Sequence, residues 1–584
     1  MLDTPPTLTN ARATLTRWFG YPDFRAPQVP AIEAVLAGRD ALVVLPTGGG
    51  KSLCFQVPAL TRGGLTLVIS PLISLMKDQV DALERRDVPA AFINSTLGAS
   101  AVSDRLVRAQ RGELQLLYLA PERLESESML ERLRTIGVTM LAVDEAHCIS
   151  EWGHDFRPSY RRLGRARHAL GTPQTVALTA TATPDVRDDI VRQLQLREPA
   201  IVVGGFDRTN LTYHVVATRR DADKDRAAIT AIQTHDGPSI VYAPTRKAVE
   251  RVTQVLTRAR LAAVGYHAGL DESHRRQAQD AFMCGDARII VATSAFGMGI
   301  DKPDVRLVVH HAMPGTLESY YQEAGRAGRD GLPSVCVLLH RYADRFTHEY
   351  FIDGAHPDRT AVERVWRTLR SQVMPDGLVP IDADVLTQQL ARQVDARHVA
   401  AALRVLARAG RLTVEPPSPG RVVVTLRATP TRIAAELEGE RAFDREVLRA
   451  LWRAVGPQLQ DGAFIDLDGL PPGLGGAAQL RPVLERLQAD QFVTVERAGG
   501  GFRLEPRAVV DNHLGVDWTL LARRREVDIA RLDAMQGYAQ TRGCRRAFVL
   551  RYFGDPAARD TCGACDRCLG TTRDAPARQR RVRS

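Results

Sequence analysis

The sequence predicts a chain of α/β class: two parallel-sheet lobes in tandem, then two small α+β modules and a helical segment ending on four cysteines. Three observations predict it. From Asp40 to His340 short apolar runs alternate with helical patterns, the signature of parallel sheet. Beyond about Asp353 that rhythm gives way to helices followed by short strands, a plan run twice. Last, Cys544, Cys562, Cys565 and Cys568 cluster near the end, while Cys54, Cys148, Cys284 and Cys336 are scattered.

The totals agree. A chain of 584 residues is too long for one core and suggests roughly three to five domains. Apolar residues at 44% and charged residues at 25% are ordinary for soluble protein. No run of eighteen apolar residues occurs, so no membrane span is expected. The start MLDTPPTLTNAR has neither the charged nor the apolar part of a signal peptide, and the cytoplasm is expected. A net charge of +10 admits a polyanion partner without requiring one.

In chain order, a tail over 1–10 leads into a first lobe, 11–205, with apolar runs ALVVLP, LTLVIS, LQLLYLA, MLAVDE and QTVALTA. FDRTNLTYHVV, from Phe206, reads as the crossing into a second lobe, 206–352, with SIVYAP, RIIVAT, VRLVVHH and SVCVLLH. Two such lobes are expected to face each other across a cleft. Residues 353–430 read as three helices, the third near 396–409, and a hairpin: RLTVE, the turn PPSPG, then RVVVTL. Residues 440–506 repeat the plan, with VTVE, a GGG turn and FRLEP as the second hairpin. Both are read as winged-helix-like modules; the plainer alternative is two small α+β packing units. A polar helix, WTLLARRREVDIARLDAMQGYAQT, opens a helical zinc-binding module over 507–570. The basic, aperiodic tail 571–584 is expected to be disordered.

The chemistry sits at strand ends. PTGGGKS, Pro46 to Ser52, lies between a strand and a helix. In such a loop Thr47, Gly48, Gly49 and Gly50 can wrap phosphates with backbone N–H groups. Lys51 would reach the β- and γ-phosphates and Ser52 the Mg²⁺. The general pattern expects Gly where Leu45 stands; the flanking strand and helix compensate. Asp144 and Glu145 follow the apolar run Leu141 to Val143, where α/β sheets place their ligand crevice. An Asp there can hold Mg²⁺ through water, and a Glu can orient or deprotonate the attacking water. Trp152, His154, Phe156 and Arg157 follow; rings and guanidinium groups stack on unpaired bases. In YYQEAGRAGRDG, Gln322, Arg326 and Arg329 have the spacing of one helical face and can serve the γ-phosphate as arginine fingers do; alone, GRAGR would read as a solvated basic turn. Cys544-x17-Cys562-x2-Cys565-x2-Cys568 offers four soft donors, which suit a closed, structural tetrahedral Zn²⁺ site.

These motifs, in this order, resemble the RecQ-family DNA helicases of helicase superfamily 2 over roughly residues 15–345 and again at 530–570. The resemblance implies two RecA-like lobes. WFGYPDFRAPQ is similar to the family's adenine-recognition motif, with Gln28 as base reader and Arg25 supporting it. PTGGGKS resembles motif I, SPLISLMKDQV motif Ia, DEAHCISEWGHDFRPSY motif II with its aromatic-rich loop, LTATAT motif III, ATSAFGMGIDKPDVR motif V and QEAGRAGRDG motif VI. CRRAFVLRYFGD and CGACDRC resemble its zinc-binding segment. By that likeness Lys51, Ser52 and Asp144 hold phosphate and Mg²⁺, Glu145 is the base, and Arg329 is the finger with Arg326 beside it. Trp152, Phe156 and Arg157 would sense single-stranded DNA; His147 and Thr179 to Thr181 would relay between lobes.

The activity implied is ATP-driven 3′–5′ translocation on single-stranded DNA with unwinding of duplex or branched DNA, in repair or recombination. ATP, Mg²⁺ and Zn²⁺ are the cofactors implied, and a monomer is expected. Departures are Glu151 where Gln is common, and Ala243 and Pro244 in motif IV. In the usual family order the zinc module directly follows the second lobe; here about two hundred residues intervene, leaving 414–424 or 497–503 as candidate strand-separating wings. Three other readings compete. A translocase or remodeller would not separate strands. A non-catalytic DNA-binding protein is opposed by the intact Lys51, Asp144, Glu145, Arg326 and Arg329. An RNA helicase would need contacts to the 2′-hydroxyl that no residue identifies.

Overall fold

The computed structural model describes residues 6–46, 48–153, 155–297, 302–374, 377–416, 420–497, 500–506 and 514–570. The chain divides into two compact units, Met1–His348 with Val527–Ser584, and Glu349–Glu526. In chain order the second is an insertion into the first.

Among the described residues of the first unit, seven parallel strands form one sheet. They are β1 (Ala41–Val44), β2 (Leu65–Ile69), β3 (Ala90–Ile93), β4 (Leu116–Leu119), β5 (Val138–Val143), β6 (Gln174–Thr179) and β7 (Ala200–Val203), in the order β3-β4-β2-β5-β6-β1-β7. Every residue of β1 and β2 is buried, so both faces are covered, which is why these strands are unbroken apolar runs instead of alternating ones. β6 lies between β1 and β5, in register Ala41↔Val176 to Val44↔Thr179 on one side and Met140↔Gln174 to Val143↔Ala177 on the other. Because all three run the same way, the segments after Val44, Val143 and Thr179 emerge at one edge.

A second parallel sheet contains β8 (Leu211–Ala217), β9 (Ser239–Tyr242), β10 (Ala263–Tyr266), β11 (Ile289–Ala292), β12 (Leu307–His310) and β13 (Ser334–His340), ordered β10-β11-β9-β12-β13-β8. The two RecA-like lobes are therefore present, with all nine expected apolar runs as strands. Four further strands were not singled out as apolar runs: β3, β7 and β10, which are short, and β8, whose segment reads as the crossing between lobes.

The zinc-binding region folds onto β8. That strand ends its sheet, and an open edge needs a partner for its backbone. Asp566 supplies one: its N–H donates to the Tyr213 carbonyl at 3.1 Å, and its Oδ2 accepts the Val215 N–H at 3.0 Å. Arg545, buried on the helix Arg545–Tyr552, holds Asp566 by two bonds of 3.0 and 3.2 Å. Phe553 stacks on Phe206 at 4.8 Å between centroids, and Asp555 accepts the Phe206 N–H at 3.1 Å. The module is thus part of the motor unit, although 349–526 separates it in sequence.

The second unit holds two small antiparallel sheets, built from β14 (Leu378–Val379), β15 (Leu412–Glu415), β16 (Arg421–Leu426), β17 (Ala463–Asp466), β18 (Val493–Arg497) and β19 (Gly501–Leu504). Here the expected hairpins are corrected. β15 does not pair with β16, nor β18 with β19; the sheets are β14-β19-β15 and β17-β16-β18. The middle strand of each sheet is the one expected beside the other's partner, so the two winged-helix-like modules exchange a strand. One core gathers Val362, Trp366, Leu386, Leu406, Phe502 and Leu504; the other, Val422, Val424, Val447, Ile465, Leu484 and Val493, lies between them in sequence. Proline explains the first exchange: tight hairpin turns favour positive φ, which the proline-rich sequence PPSPG disfavours because proline is restricted to negative φ. Gly501 is not a turn glycine: a Cβ there would lie 2.5 Å from the Val379 carbonyl, so its bare backbone lets β14 approach. Among the described residues no helix is long and apolar enough to cross a membrane.

Candidate active site

The shared edge of β1, β5 and β6 carries the site. After β1, Lys51 turns under its own loop, Nζ donating to the carbonyls of Leu45 at 3.2 Å and Pro46 at 3.4 Å. Gly50 has φ +77°, and a Cβ on it would collide with Gln28 Nε2. A side chain is thus refused twice, by backbone conformation and by the group packed on the loop. Gln28 Nε2 donates to the carbonyls of Gly50 at 2.9 Å and Gly49 at 3.3 Å, its Oε1 accepts the Arg25 N–H at 2.7 Å, and Arg25 donates to the Gly48 carbonyl. The two expected adenine contacts therefore brace the phosphate loop. Ser52 immediately precedes the helix Leu53–Arg62. Burial pushes the neighbouring Cys54 thiol up to about 12 against the pull of Lys51. Thr47 lies outside the described residues.

After β5, Asp144 and Glu145 sit together. Burial first, then the Glu145 carboxylate, raise Asp144 to about 6; Lys51, the Glu145 N–H and Gln79 pull the other way. A buried carboxylate beside a half-buried one, with one lysine nearby, is a donor set that fits a hard divalent cation. Glu145 has a left-handed backbone, φ 47°, a conformation that costs a non-glycine residue about 1–3 kcal/mol and clusters at functional sites. Its carboxylate is 3.3 Å from His147 Nδ1, which also meets Thr179 Oγ1 at 2.8 Å.

The second lobe joins this edge through Gln322, whose Nε2 donates to Thr181 Oγ1 at 3.1 Å. The expected single helical face is corrected: the helix Leu317–Ala324 ends before the arginines. Arg326 and Arg329 lie in the turns beyond it, where Gly325 and Gly328, the latter at φ +54°, break the spiral. Arg326 is buried beneath Tyr242 and Gly297. Arg329 instead lines a cavity of about 280 Å³ together with Arg25, Gly48 and Gly49 of the first lobe and Arg208 of the second. Sequence reasoning missed Arg208 and Asn210. Arg208 donates to the carbonyls of Gly325, Ala327 and Gly328 at 3.2, 3.0 and 2.8 Å, and Asn210 to those of Gly328 and Leu332 at 2.8 and 2.9 Å. Their signal was two polar side chains in the crossing FDRTN, read only as a connection.

The aromatic-rich loop is tied to the same edge. Ser150 Oγ donates to Asp189 at 2.6 Å and accepts the Trp152 N–H at 3.2 Å. Trp152 and Phe156 are half-buried. Arg157 does not stand free for a base: it binds Asp155 at 3.2 Å and the Pro71 carbonyl of motif Ia at 3.0 Å. Glu151 accepts Arg161 at 2.7 Å. His154 lies outside the described residues, as do 298–301 of motif V and the tail 571–584.

The four cysteines meet. Their Sγ atoms all lie within 4.8 Å of one another, with Cys562–Cys568 and Cys544–Cys565 at 3.9 Å. A tetrahedron with arms of about 2.3 Å has edges of about 3.8 Å, so the set fits Zn²⁺. Backbone N–H groups of Ala547 and Ala564 point at Cys544 and Cys562 at 3.5 and 3.4 Å. Burial and the neighbouring sulfurs push Cys544 up to about 12; a metal that displaces such protons is held by all four sulfurs.

Comparison with known proteins gives matches along the chain. A DEAD/DEAH box helicase domain matches residues 25–190, a helicase conserved C-terminal domain 223–331, and a RecQ zinc-binding domain 511–569. The chain is 47% identical over 349 residues to the ATP-dependent DNA helicase RecQ of Bacillus subtilis (strain 168), covering 59% of this chain and 58% of that one. It is 42% identical over 347 residues to the probable ATP-dependent DNA helicase RecS of the same organism, covering 59% and 70%. With the RecQ of Pasteurella multocida (strain Pm70) it shares 42% identity over 359 residues, 61% of this chain and 56% of that one. The likeness spans little more than half the length of the two RecQ relatives.

Proposed function

The chain belongs to the RecQ family of superfamily 2 helicases, and from that premise we propose that it is an ATP-dependent 3′–5′ DNA helicase. It translocates on single-stranded DNA and unwinds duplex or branched DNA, as a cytoplasmic monomer serving repair and recombination. The observation that carries the reading is the meeting of the β5 and β6 ends with the second lobe: Gln322 on Thr181, Thr179 on His147, and His147 beside Glu145. Such a chain lets the second lobe act on the water-activating carboxylate. In this reading Lys51 and Ser52 hold the ATP phosphates, and Ser52 with Asp144 the Mg²⁺. That ion supplies charge neutralisation on the phosphates when bound. Glu145 takes the proton from the attacking water, with His147 fixing its orientation. Arg329, in the cavity wall beside Gly48, stabilises charge on the transferring phosphoryl group, while buried Arg326 supports the turn. Gln28 and Arg25 read adenine and report it to the loop they brace. Trp152, His154, Phe156 and Arg157 receive the single strand.

The test is strand displacement with ATP and Mg²⁺ on partial duplexes carrying either a 3′ or a 5′ single-stranded tail. Opening of the 3′-tailed substrate alone is expected, with activity lost at least about a hundredfold in Lys51→Ala. One observation favours a DNA-stimulated translocase that leaves strands paired. β15 and β16 lie in different sheets, as do β18 and β19, so neither candidate wing is flanked by a paired hairpin; 417–419 and 498–499 at their tips lie outside the described residues. ATP hydrolysis without displacement on either substrate would select that reading.

A further inference from the structure

Away from the nucleotide, one buried cation of the zinc-binding region touches both lobes. Arg531, on the helix Trp518–Gln540, is 8% exposed. Its Nη1 donates to the Gly153 carbonyl of the aromatic-rich loop at 3.3 Å and to Asp528 at 3.4 Å. Its Nε lies 3.8 Å from Glu318 Oε1. Glu318 is 3% exposed in the first turn of the helix Leu317–Ala324, where it also accepts the Tyr552 hydroxyl at 2.8 Å. Its other oxygen, Oε2, has no hydrogen-bond partner among the described residues. A carboxylate so buried is sustained by its cation, and losing one partner of a buried pair is costly. A surface decoration would not be built this way.

The position of Glu318 gives the contact its meaning. One turn later on the same helix stands Gln322, bonded to Thr181, and residues one turn apart move together. A continuous set of contacts therefore runs from the aromatic-rich loop through Arg531 to Glu318, along the helix to Gln322, and back to Thr181, Thr179 and His147. Only a planar guanidinium offers donors in fixed directions to two separate acceptors.

We propose that Arg531 is the positioning residue by which a nucleic acid strand on the aromatic-rich loop sets the motif VI helix for ATP hydrolysis. A strand that draws on Trp152 or Phe156 moves the Gly153 carbonyl. The guanidinium shifts its share between that carbonyl and Glu318, and the helix carrying Gln322 settles accordingly. The zinc-binding region is then a coupling element as well as a stabilising one. This rests on the reading above that the chain is an ATP-driven motor on single-stranded DNA.

The test compares the full chain with Arg531→Ala and Arg531→Lys. ATP hydrolysis is measured without nucleic acid and with a saturating single-stranded oligonucleotide, alongside oligonucleotide affinity, zinc content and Tm. Coupling contacts of this kind are worth about two- to thirtyfold. In Arg531→Ala the stimulated kcat is expected to fall about tenfold, with basal hydrolysis and DNA affinity within about threefold of wild type. Arg531→Lys keeps a cation beside Glu318, and with it Tm and zinc, yet it lacks the rigid fork that sends Nη1 to Gly153 and Nε towards Glu318, so stimulation falls comparably. If alanine prevents folding, the lysine variant decides. Wild-type stimulation in Arg531→Lys, or an equal proportional fall of basal and stimulated rates, overturns the proposal. A wild-type chain that DNA does not stimulate overturns the functional reading and this inference with it.

Discussion

The nucleotide edge and the cysteine cluster both assemble residues far apart in the chain, yet they handle charge in opposite ways. At the edge, buried Asp144 lies beside half-buried Glu145 with Lys51 as a nearby cation, and Asp144 is pushed up to about 6. The backbone is strained at Glu145, and a cavity opens between Gly48 and Arg329. The cysteines instead face inward at 3.9 Å spacings, backed by N–H donors and by the buried Arg545–Asp566 pair. Unbalanced charge and strain suit a place where a ligand must come, react and leave. Four matched donors suit one that must hold. Damage to the edge should therefore remove turnover and spare the fold, and damage to the cluster should do the reverse first.

The largest effect should come from the edge. Arg329→Ala removes a cation from the cavity wall without touching a core residue, and an arginine finger is worth about 10³-fold or more in kcat. The expected result is ATP hydrolysis down by about 10³ with ATP affinity, zinc content and Tm close to wild type. A fall in Tm with modest loss of rate would place Arg329 in the packing instead. The cluster should answer differently. Cys565 is 1% exposed; Cys565→Ser, or prolonged chelation, should take zinc from about one equivalent per chain towards none. Tm should fall by at least about 5 °C, since Asp566 and Arg545 hold the edge of β8 from that module. Metal analysis and calorimetry on the two variants break or sharpen the contrast.

Much of the edge was legible in the sequence because each of its motifs is contiguous and follows an apolar run. PTGGGKS after ALVVL and DEAH after MLAV need only the parallel sheet to bring them together. The cysteine spacing was legible for the same reason. What escaped is largely non-local. In YYQEAGRAGRDG the stop signals, Gly325 and Gly328, were passed over in favour of the three- and four-residue spacing, and what holds the turn, Asn210 and Arg208, comes from another segment. The pairing of β15 with β19 instead of β16 depends on which strand best fills each core, Phe502 and Leu504 in one and Val422 and Val424 in the other. Three prolines between β15 and β16 were the one local hint. Arg531 is one of four arginines in a polar helix, and its two distant partners, Glu318 and Gly153, come from segments about two hundred and nearly four hundred residues away.

The smallest effect is a pH dependence that belongs to the edge alone. Burial and Glu145 raise Asp144 from its ordinary range to about 6, so its carboxyl is protonated below that pH and ionised above it. In the proposed reading, the form that holds Mg²⁺ is the ionised one. As pH falls from 7 to 5, the Mg²⁺ concentration needed for half-maximal hydrolysis should rise, by up to about tenfold per pH unit once below 6. Saturating Mg²⁺ should recover most of the rate, because a bound cation competes with the proton. Asp144→Asn removes the titrating group, and its residual hydrolysis should lose this dependence. Across the same window the thiolates, once on zinc, exchange protons only at lower pH, so zinc content should stay constant. A requirement for Mg²⁺ that does not move between pH 7 and 5 would mean that the ion is held without Asp144, and the charge imbalance of the edge would need another purpose.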